Sequence, residues 1–282
     1  MIDSDELDGK SSNSKGRGPS GYNSRSPGDG GCEGALSTDR PVLIKPNYIN
    51  DRHPSTGITT DARVIEGVIM YLRQQGVEEI IVGEGCGHSD TFRAFRVAGV
   101  DTLREKWHVK LVDLNKDDFV EVSPPDPLAL KKVKIAKTAL ESTIISVPKL
   151  KIHGGAGVTL GLKNMMGAMT PKGSMHDGRL GKNIADLASM VKPSVTVIDG
   201  IIAGEGHETR GKPVKMDLVI AGTDPVAVDA VGAAVMGVSP ETVEHLRHAE
   251  EKGLGTCDLN QIEVVGEPIE KVRIKFRRSP FF

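Results

Sequence analysis

Short runs that are apolar on both faces recur along this chain, and each is followed by an amphipathic stretch. That alternation constrains the fold more than any other feature. Val42–Lys45, "EEIIVGEG", Val109–Asp113, Val133–Ala136, Ile144–Val147, Val195–Asp199, Leu218–Ala221 and Ile262–Val265 predict strands. Between the first two, Val64, Ile65, Val68, Ile69 and Leu72 fall on one helical face behind Thr60 and Asp61, which can cap it. "SDTFRAFRVAG" has a Ser/Asp start and a Gly stop, and further helices are expected near Asn183–Val191, Pro225–Met236 and Glu241–Lys252. Apolar strands interleaved with helices predict an α/β protein on mostly parallel sheets with flanking helices. In such folds ligands lie beyond the carboxyl ends of the strands, so a pocket is expected at the loops after Ile44, Val82 and Val147.

The punctuation suggests three segments. Residues 1–40 are rich in Gly, Ser and Asn and are expected to be a disordered, low-complexity tail. Residues 41–192 make a larger α/β lobe, and the restart at "SVTVIDG" after Pro193 marks a smaller one over 193–282. A length of 282 residues supplies ample core, and a net charge of −2 gives no pull toward nucleic acid or an anionic membrane. No apolar run approaches the roughly 18 residues of a membrane span. "MIDSDELDGK" lacks the order of a secretory signal, so a cytoplasmic protein is expected. Cys32, Cys86 and Cys257 form no C-x-x-C, which argues for reduced thiols and against an iron–sulfur cluster within this chain.

Two loops carry chemistry. "VPKLKIHGGAGVTLGLKN" leaves a strand, places Lys149, Lys151 and His153 in succession, and then delivers Lys163. Glycine inside an element costs roughly 0.5–1 kcal/mol relative to alanine, so Gly154, Gly155 and Gly157 need a reason. Their amides are expected to converge on an anion as a backbone nest, with the lysines adding positive potential. "GEGCGHSD" is neither G-x-G-x-x-G nor a P-loop; it offers a helix N-terminus, His88 and an acidified Cys86. "TPKGSMHDG" adds Lys172, His176 and Asp177, while His245 and His248 read as solvated surface. H-E-x-x-H is absent, so a helical zinc site is not expected. Asp224 before Pro225 reads as a helix cap, and "IIAGEGHETRGKP" as a lid or a long turn.

"VLIKPN", "TTD", "IVGEG", "VPKLKIHGGAGVTLGLKNMMGAM", "MHDG", "ADLASMVKPSVTVIDGI" and "GTDPVAVDAVGAAVMG" together resemble the uncharacterised family catalogued as domain of unknown function 362, from about Pro41 to Gly255. Members often carry an attached ferredoxin-type iron–sulfur domain, which this sequence lacks. A more distant resemblance links His153, Ala156, Gly157, Gly161 and Lys163 to the H-x-x-A-G-x-x-x-G-x-K motif of nickel-pincer lactate racemases. Gly87-His88 and the 221–226 turn are similar to two further racemase segments. That resemblance implies Lys163 as tether of a nickel-bearing pyridinium cofactor, His176 as metal ligand, and His88 with His153 as an acid/base pair. The aromatic, serine and arginine residues flanking the racemase motif are missing here, and His176 lies nearer the lysine than the racemase ligand does.

The sequence therefore predicts two lobes with a pocket at strand carboxyl ends. His88 and His153 are the expected catalytic pair, and Lys45, Asn47, Lys149 and Lys151 the substrate-binding groups. Lys163 with Gly154, Gly155 and Gly157 would hold a cofactor, and His176 a metal. The expected activity is proton or hydride chemistry on a small anionic metabolite, of the racemase/isomerase or oxidoreductase kind. Two competing roles are a redox or cofactor-handling accessory to a separate ferredoxin-type protein and a non-catalytic binder of an anionic metabolite.

Overall fold

Val42, Leu43 and Ile44 are all fully buried although successive strand residues point to opposite faces, so their sheet is covered on both sides. The structure, a computed structural model, describes residues 20–25 and 39–279. Its strands are β1 (Ser20–Arg25), β2 (Val42–Pro46), β3 (Ile80–Glu84), β4 (Lys110–Asp113), β5 (Phe119–Val122), β6 (Val133–Ala136) and β7 (Thr143–Val147). They continue with β8 (Lys149–His153), β9 (Gly157–Val158), β10 (Met169–Thr170), β11 (Val195–Glu205), β12 (Lys212–Gly222) and β13 (Glu263–Val265). The helices are α1 (Ala62–Gln74), α2 (Thr91–Ala98), α3 (Val100–Trp107), α4 (Lys137–Glu141), α5 (Leu160–Asn164), α6 (Leu180–Met190), α7 (Pro225–Val235), α8 (Glu244–Glu251) and α9 (Ile269–Val272).

The main sheet runs β13-β1-β12-β11-β7-β2-β3-β4, with β8 pairing onto β11 and β9 onto β8. It is mostly parallel; β11 and β12 form an antiparallel pair within it. A small second sheet joins β10, β6 and β5. Val42 and Ile44 pack with α1, α2 and α3 residues such as Ile65, Phe95 and Leu103, whereas Leu43 and Ile144 join the opposite core with α6, α7 and α8. Helix α7 is buried along all eleven residues, which its Ala, Gly and Val composition permits. As expected, Asp61 caps α1 and Asp224 caps α7, the latter accepting from Val226 and Ala227 at 2.9 Å.

One segment differs from the sequence reading. Ser20–Arg25, inside the expected disordered tail, forms a strand paired parallel with β12 and antiparallel with β13. Ladder bonds are made by main chain, so the polar composition that suggested disorder did not forbid pairing between β12 and β13. The rest of that segment up to residue 38 lies outside the described residues. The expected lobe boundary near Pro193 falls between α6 and β11, and the sheet continues across it because β11 pairs with β7.

Candidate functional site

Strand β8 reads K-L-K-I-H, and a period of two separates its functions. Leu150 and Ile152 enter the hydrophobic core. Lys149, Lys151 and His153 share the other face, all buried. The parallel register of β2, β3 and β7 brings Lys45, Glu84 and this face of β8 to one edge. A cavity of about 660 Å³ opens there, lined by four lysines (Lys45, Lys151, Lys163, Lys172) against two carboxylates, Glu84 and Glu208.

Glu84 is consumed locally. Its Oε1 accepts from Lys45 Nζ at 2.8 Å and from the Gly85 amide at 2.8 Å, and its Oε2 accepts from the Tyr48 amide at 2.9 Å. Lys45 also donates to Asn164 Oδ1 at 3.1 Å. Asn164 Nδ2 donates to the Lys45 carbonyl, so Oδ1 is its acceptor end, and Asn47 must offer Nδ2 to it at 3.1 Å. That chain of assignments leaves Asn47 Oδ1 unpartnered, and Thr159 Oγ1, also on the lining, is likewise without a partner among the described residues. Gly167 is required by closeness: a Cβ there would lie 2.1 Å from Glu84 Oε1 and 2.6 Å from Lys45 Nζ.

Of the four lining lysines only Lys45 has a carboxylate in ion-pair reach among the described residues; Lys172 donates to Asn115 Oδ1, and Lys151 and Lys163 lie deeper. Lys151 Nζ donates to the Ile58 carbonyl at 2.8 Å and to the Glu208 carbonyl at 3.2 Å, and burial followed by the charge of Lys163 lowers its pKa to about 7. Lys163 is partly exposed on the cavity; its Nζ contacts Met166 Sδ at 3.6 Å, and burial lowers its pKa to about 8. Neither has a carboxylate in ion-pair reach among the described residues. Lys163 rides on α5, whose first-turn amides, Gly161 N and Leu162 N, donate to the buried Asp229 at 2.6 and 2.9 Å. Burial raises Asp229 to about 7. The chain enters α5 through Leu160 at φ +37°, a strained conformation for a branched side chain.

The glycine turn works differently from the expected nest. Gly155 and Ala156 amides donate to His153 Nδ1 at 3.0 and 3.1 Å, and the Gly154 amide donates to Glu208 Oε2 at 3.1 Å. The chain's own imidazole and carboxylate thus occupy these donors, which corrects the assignment of Gly154 and Gly155 to a guest anion. Gly157 does not line the cavity; it pairs with His153 in β9 at φ +77°, a conformation glycine adopts freely. Because Nδ1 accepts, the neutral ring carries its proton on Nε2. Burial and the charge of Lys163 depress its pKa to about 2. His153 therefore offers Nε2–H as its donor in this tautomer.

His88 and His176 line the same cavity as His153 and Lys163, both from exposed loop positions. Lys45, Asn47 and Lys151 also line it. Lys149 does not: its Nζ is 2.7 Å from Asp199 Oδ2, and both side chains are fully buried. Asp199 also accepts from Asp61 N at 2.7 Å, so the "TTD" stretch and Lys149 brace the scaffold. Three further readings are corrected. Cys86 is pushed up to about 11 by burial, the opposite of an acidified thiol. The α2 N-terminus is capped by Asp90, which accepts from Arg93 N at 2.9 Å. His245 is fully buried rather than solvated.

Glu84, Asn164, Thr159 and Glu208 escaped the sequence reading. A glutamate closing the apolar run "EEIIVGE" was the available signal for Glu84. The "GEGHETRG" loop, expected as a lid or a turn, contributes His207, Glu208 and Thr209 to the lining. Among the described residues no three His, Cys, Asp or Glu side chains form a metal-binding group, and no helix is long and apolar enough to cross a membrane.

An α/β scaffold presenting a lysine- and histidine-lined cavity at its strand ends defines the class to which this chain belongs. Residues 42–234 match the family described as Domain of unknown function (DUF362), and the chain is a member of it. It is also similar to a thylakoid-associated protein, sll1697, of Synechocystis sp. (strain ATCC 27184 / PCC 6803 / Kazusa), at 25% identity over 239 residues, covering 80% of this chain and 72% of the relative.

Proposed function

We propose that the cavity binds a small anionic metabolite and acts on it by proton or hydride chemistry. The observation that carries this reading is the pair of cavity-facing lysines, Lys151 and Lys163, held without a carboxylate partner. Two ammonium groups in one enclosed hollow repel each other, and an anionic guest between them relieves both the repulsion and the desolvation. His153 Nε2–H supplies a donor to a guest oxygen, Thr159 a hydroxyl, and the unpartnered Asn47 Oδ1 takes a hydroxyl or amine proton from the guest. A compact hydroxy or oxo carboxylate has this complement of groups. His88 and His176, at exposed loop positions on the lining, are the candidates for proton transfer.

The nickel-pincer reading stays within this proposal. Lys163 offers an amine free of oxygen partners for tethering, and His176 a single imidazole; when bound, such a group supplies a hydride acceptor. Lys151 and His153 would then orient the guest. The thylakoid association of the relative favours a second reading, in which the chain works beside a membrane assembly or a ferredoxin-type partner rather than free in the cytoplasm.

Incubating the protein with lactate, malate, glycerate and pyruvate in deuterium oxide tests the first reading. Incorporation of deuterium at the hydroxyl-bearing carbon, or at the methyl of pyruvate, lost in Lys151→Met, is the expected result. Absence of both exchange and binding for every compound would overturn it. Co-sedimentation of the chain with washed membranes or with reduced ferredoxin, in place of metabolite binding, would support the second.

A further inference from the structure

We propose that Lys163 is a covalent nucleophile, and that the guest class of the cavity is a small carbonyl-bearing anion, such as a 2-oxo acid, captured as an imine. The inference rests on the reading of the cavity as an anion site and extends it from binding to bond formation.

Three features of the surroundings set Lys163 apart. Its amine opens on the cavity with Met166 Sδ as its hydrogen-bond partner, and no oxygen acceptor among the described residues holds it as an ammonium. Lys151, by contrast, has its N–H bonds committed to two carbonyls. Burial is what lowers the pKa of Lys163, and the Glu208 carboxylate opposes it. Desolvation is what frees a lysine lone pair near neutral pH. The drop of its pKa to about 8 agrees with that arrangement. Asp229 fixes the helix that carries the amine by accepting the Gly161 and Leu162 amides of its first turn, so the nucleophile is presented from a rigid support.

The step balances without an oxidant or reductant. The Lys163 nitrogen lone pair forms a bond to the carbonyl carbon, the carbonyl π pair moves to oxygen, and the nitrogen loses a proton to solvent or Lys151. His153 Nε2–H polarises that oxygen, and the Lys151 ammonium protonates it. A second proton, taken from solvent, converts that hydroxyl into a leaving water, and the nitrogen lone pair expels it to leave a protonated imine. The guest carboxylate pairs with Lys151 and Thr159.

The test is reductive trapping of the full chain with glyoxylate or pyruvate and sodium cyanoborohydride, read by intact mass and peptide mapping, with calorimetric binding of lactate alongside. Hydride from the reagent converts the imine to a stable secondary amine. The expected result is one adduct, mapped to Lys163, formed at near-neutral pH at least about tenfold faster than on exposed lysines, whose amines are almost wholly protonated there. Mapping wild-type protein avoids dependence on a variant that fails to fold; Lys163→Arg should then abolish the adduct. Lactate binding without an adduct at Lys163 overturns the inference and leaves the anion site standing. Labelling spread evenly over surface lysines, or protein isolated with Lys163 already carrying a stable group, also overturns it. Neither binding nor adduct overturns the inference together with the anion site.

Discussion

Replacing Lys151 by methionine should change stability with a sign that depends on pH. Lys151 is 1% exposed, and its ammonium has two carbonyl acceptors but no carboxylate. Burial first, and then the charge of Lys163, takes its pKa from 10.5 to about 7. At about 1.36 kcal/mol per pH unit this corresponds to about 5 kcal/mol of unfavourable charge burial. The unfolded chain holds the proton up to pH 10.5 and the folded chain only up to about 7. Stability therefore rises with pH across that window and is flat below it. Methionine removes the penalty but leaves the Ile58 and Glu208 carbonyls without their donor, about 1 kcal/mol each. K151M is expected to be about 3 kcal/mol more stable than wild type near pH 6 and about 1 kcal/mol less stable near pH 10. Urea unfolding at both pH values, in buffers free of phosphate and small carboxylates, measures the difference. A variant less stable than wild type near pH 6, or a difference constant with pH, would refute the electrostatic reading of the cavity.

Other substitutions probe the supports. Glu84→Ala strands the buried Lys45 ammonium and the Tyr48 and Gly85 amides, and should lower stability by about 3–5 kcal/mol in the same assay, most of it recovered when Lys45→Met is added. Asp229→Ala leaves two α5 amides unpaired and should cost about 2–4 kcal/mol. The folded Asp229 carboxyl holds its proton up to about pH 7 and the unfolded one only to 3.8, so the stability it confers falls as pH rises through that range, and the loss in D229A should be larger near pH 4 than near pH 8. Nitrogen-15 spectra of His153 should show an unprotonated Nδ1 and no titration above about pH 4, its pKa being about 2. His153→Ala should unfold cooperatively but about 1–2 kcal/mol less stably, because the imidazole ties the turn through two amides.

The apolar runs made the sheet legible because parallel strands buried on both faces leave little ambiguity of type. Lys149–His153 was expected as loop chemistry following a strand, and it is itself a strand, since lysine and histidine on its polar face hid the alternation that Leu150 and Ile152 complete. Lys151, His153, Lys163, His88 and His176 were identified by residue type and position, and they do line one cavity. What residue type does not reveal is who takes each hydrogen bond. The glycine amides turn inward to His153 and Glu208, and Lys149 pairs with Asp199, fifty positions away. Ser20–Arg25 shows the same limit for backbone, because its pairing with β12 and β13 is made by main-chain ladder bonds rather than by apolar side chains.

Calorimetric titration of the wild-type protein with a small hydroxy carboxylate, repeated from about pH 6 to pH 9.5, bears most directly on the anion site. Lys151 and Lys163, with pKa values lowered to about 7 and about 8, are charged at the acid end and neutral at the alkaline end. Affinity should fall steeply between those limits, with proton uptake on binding in the middle of the range, and K151M should bind weakly throughout. Equal affinity at both ends, or unchanged binding by K151M, would contradict the account.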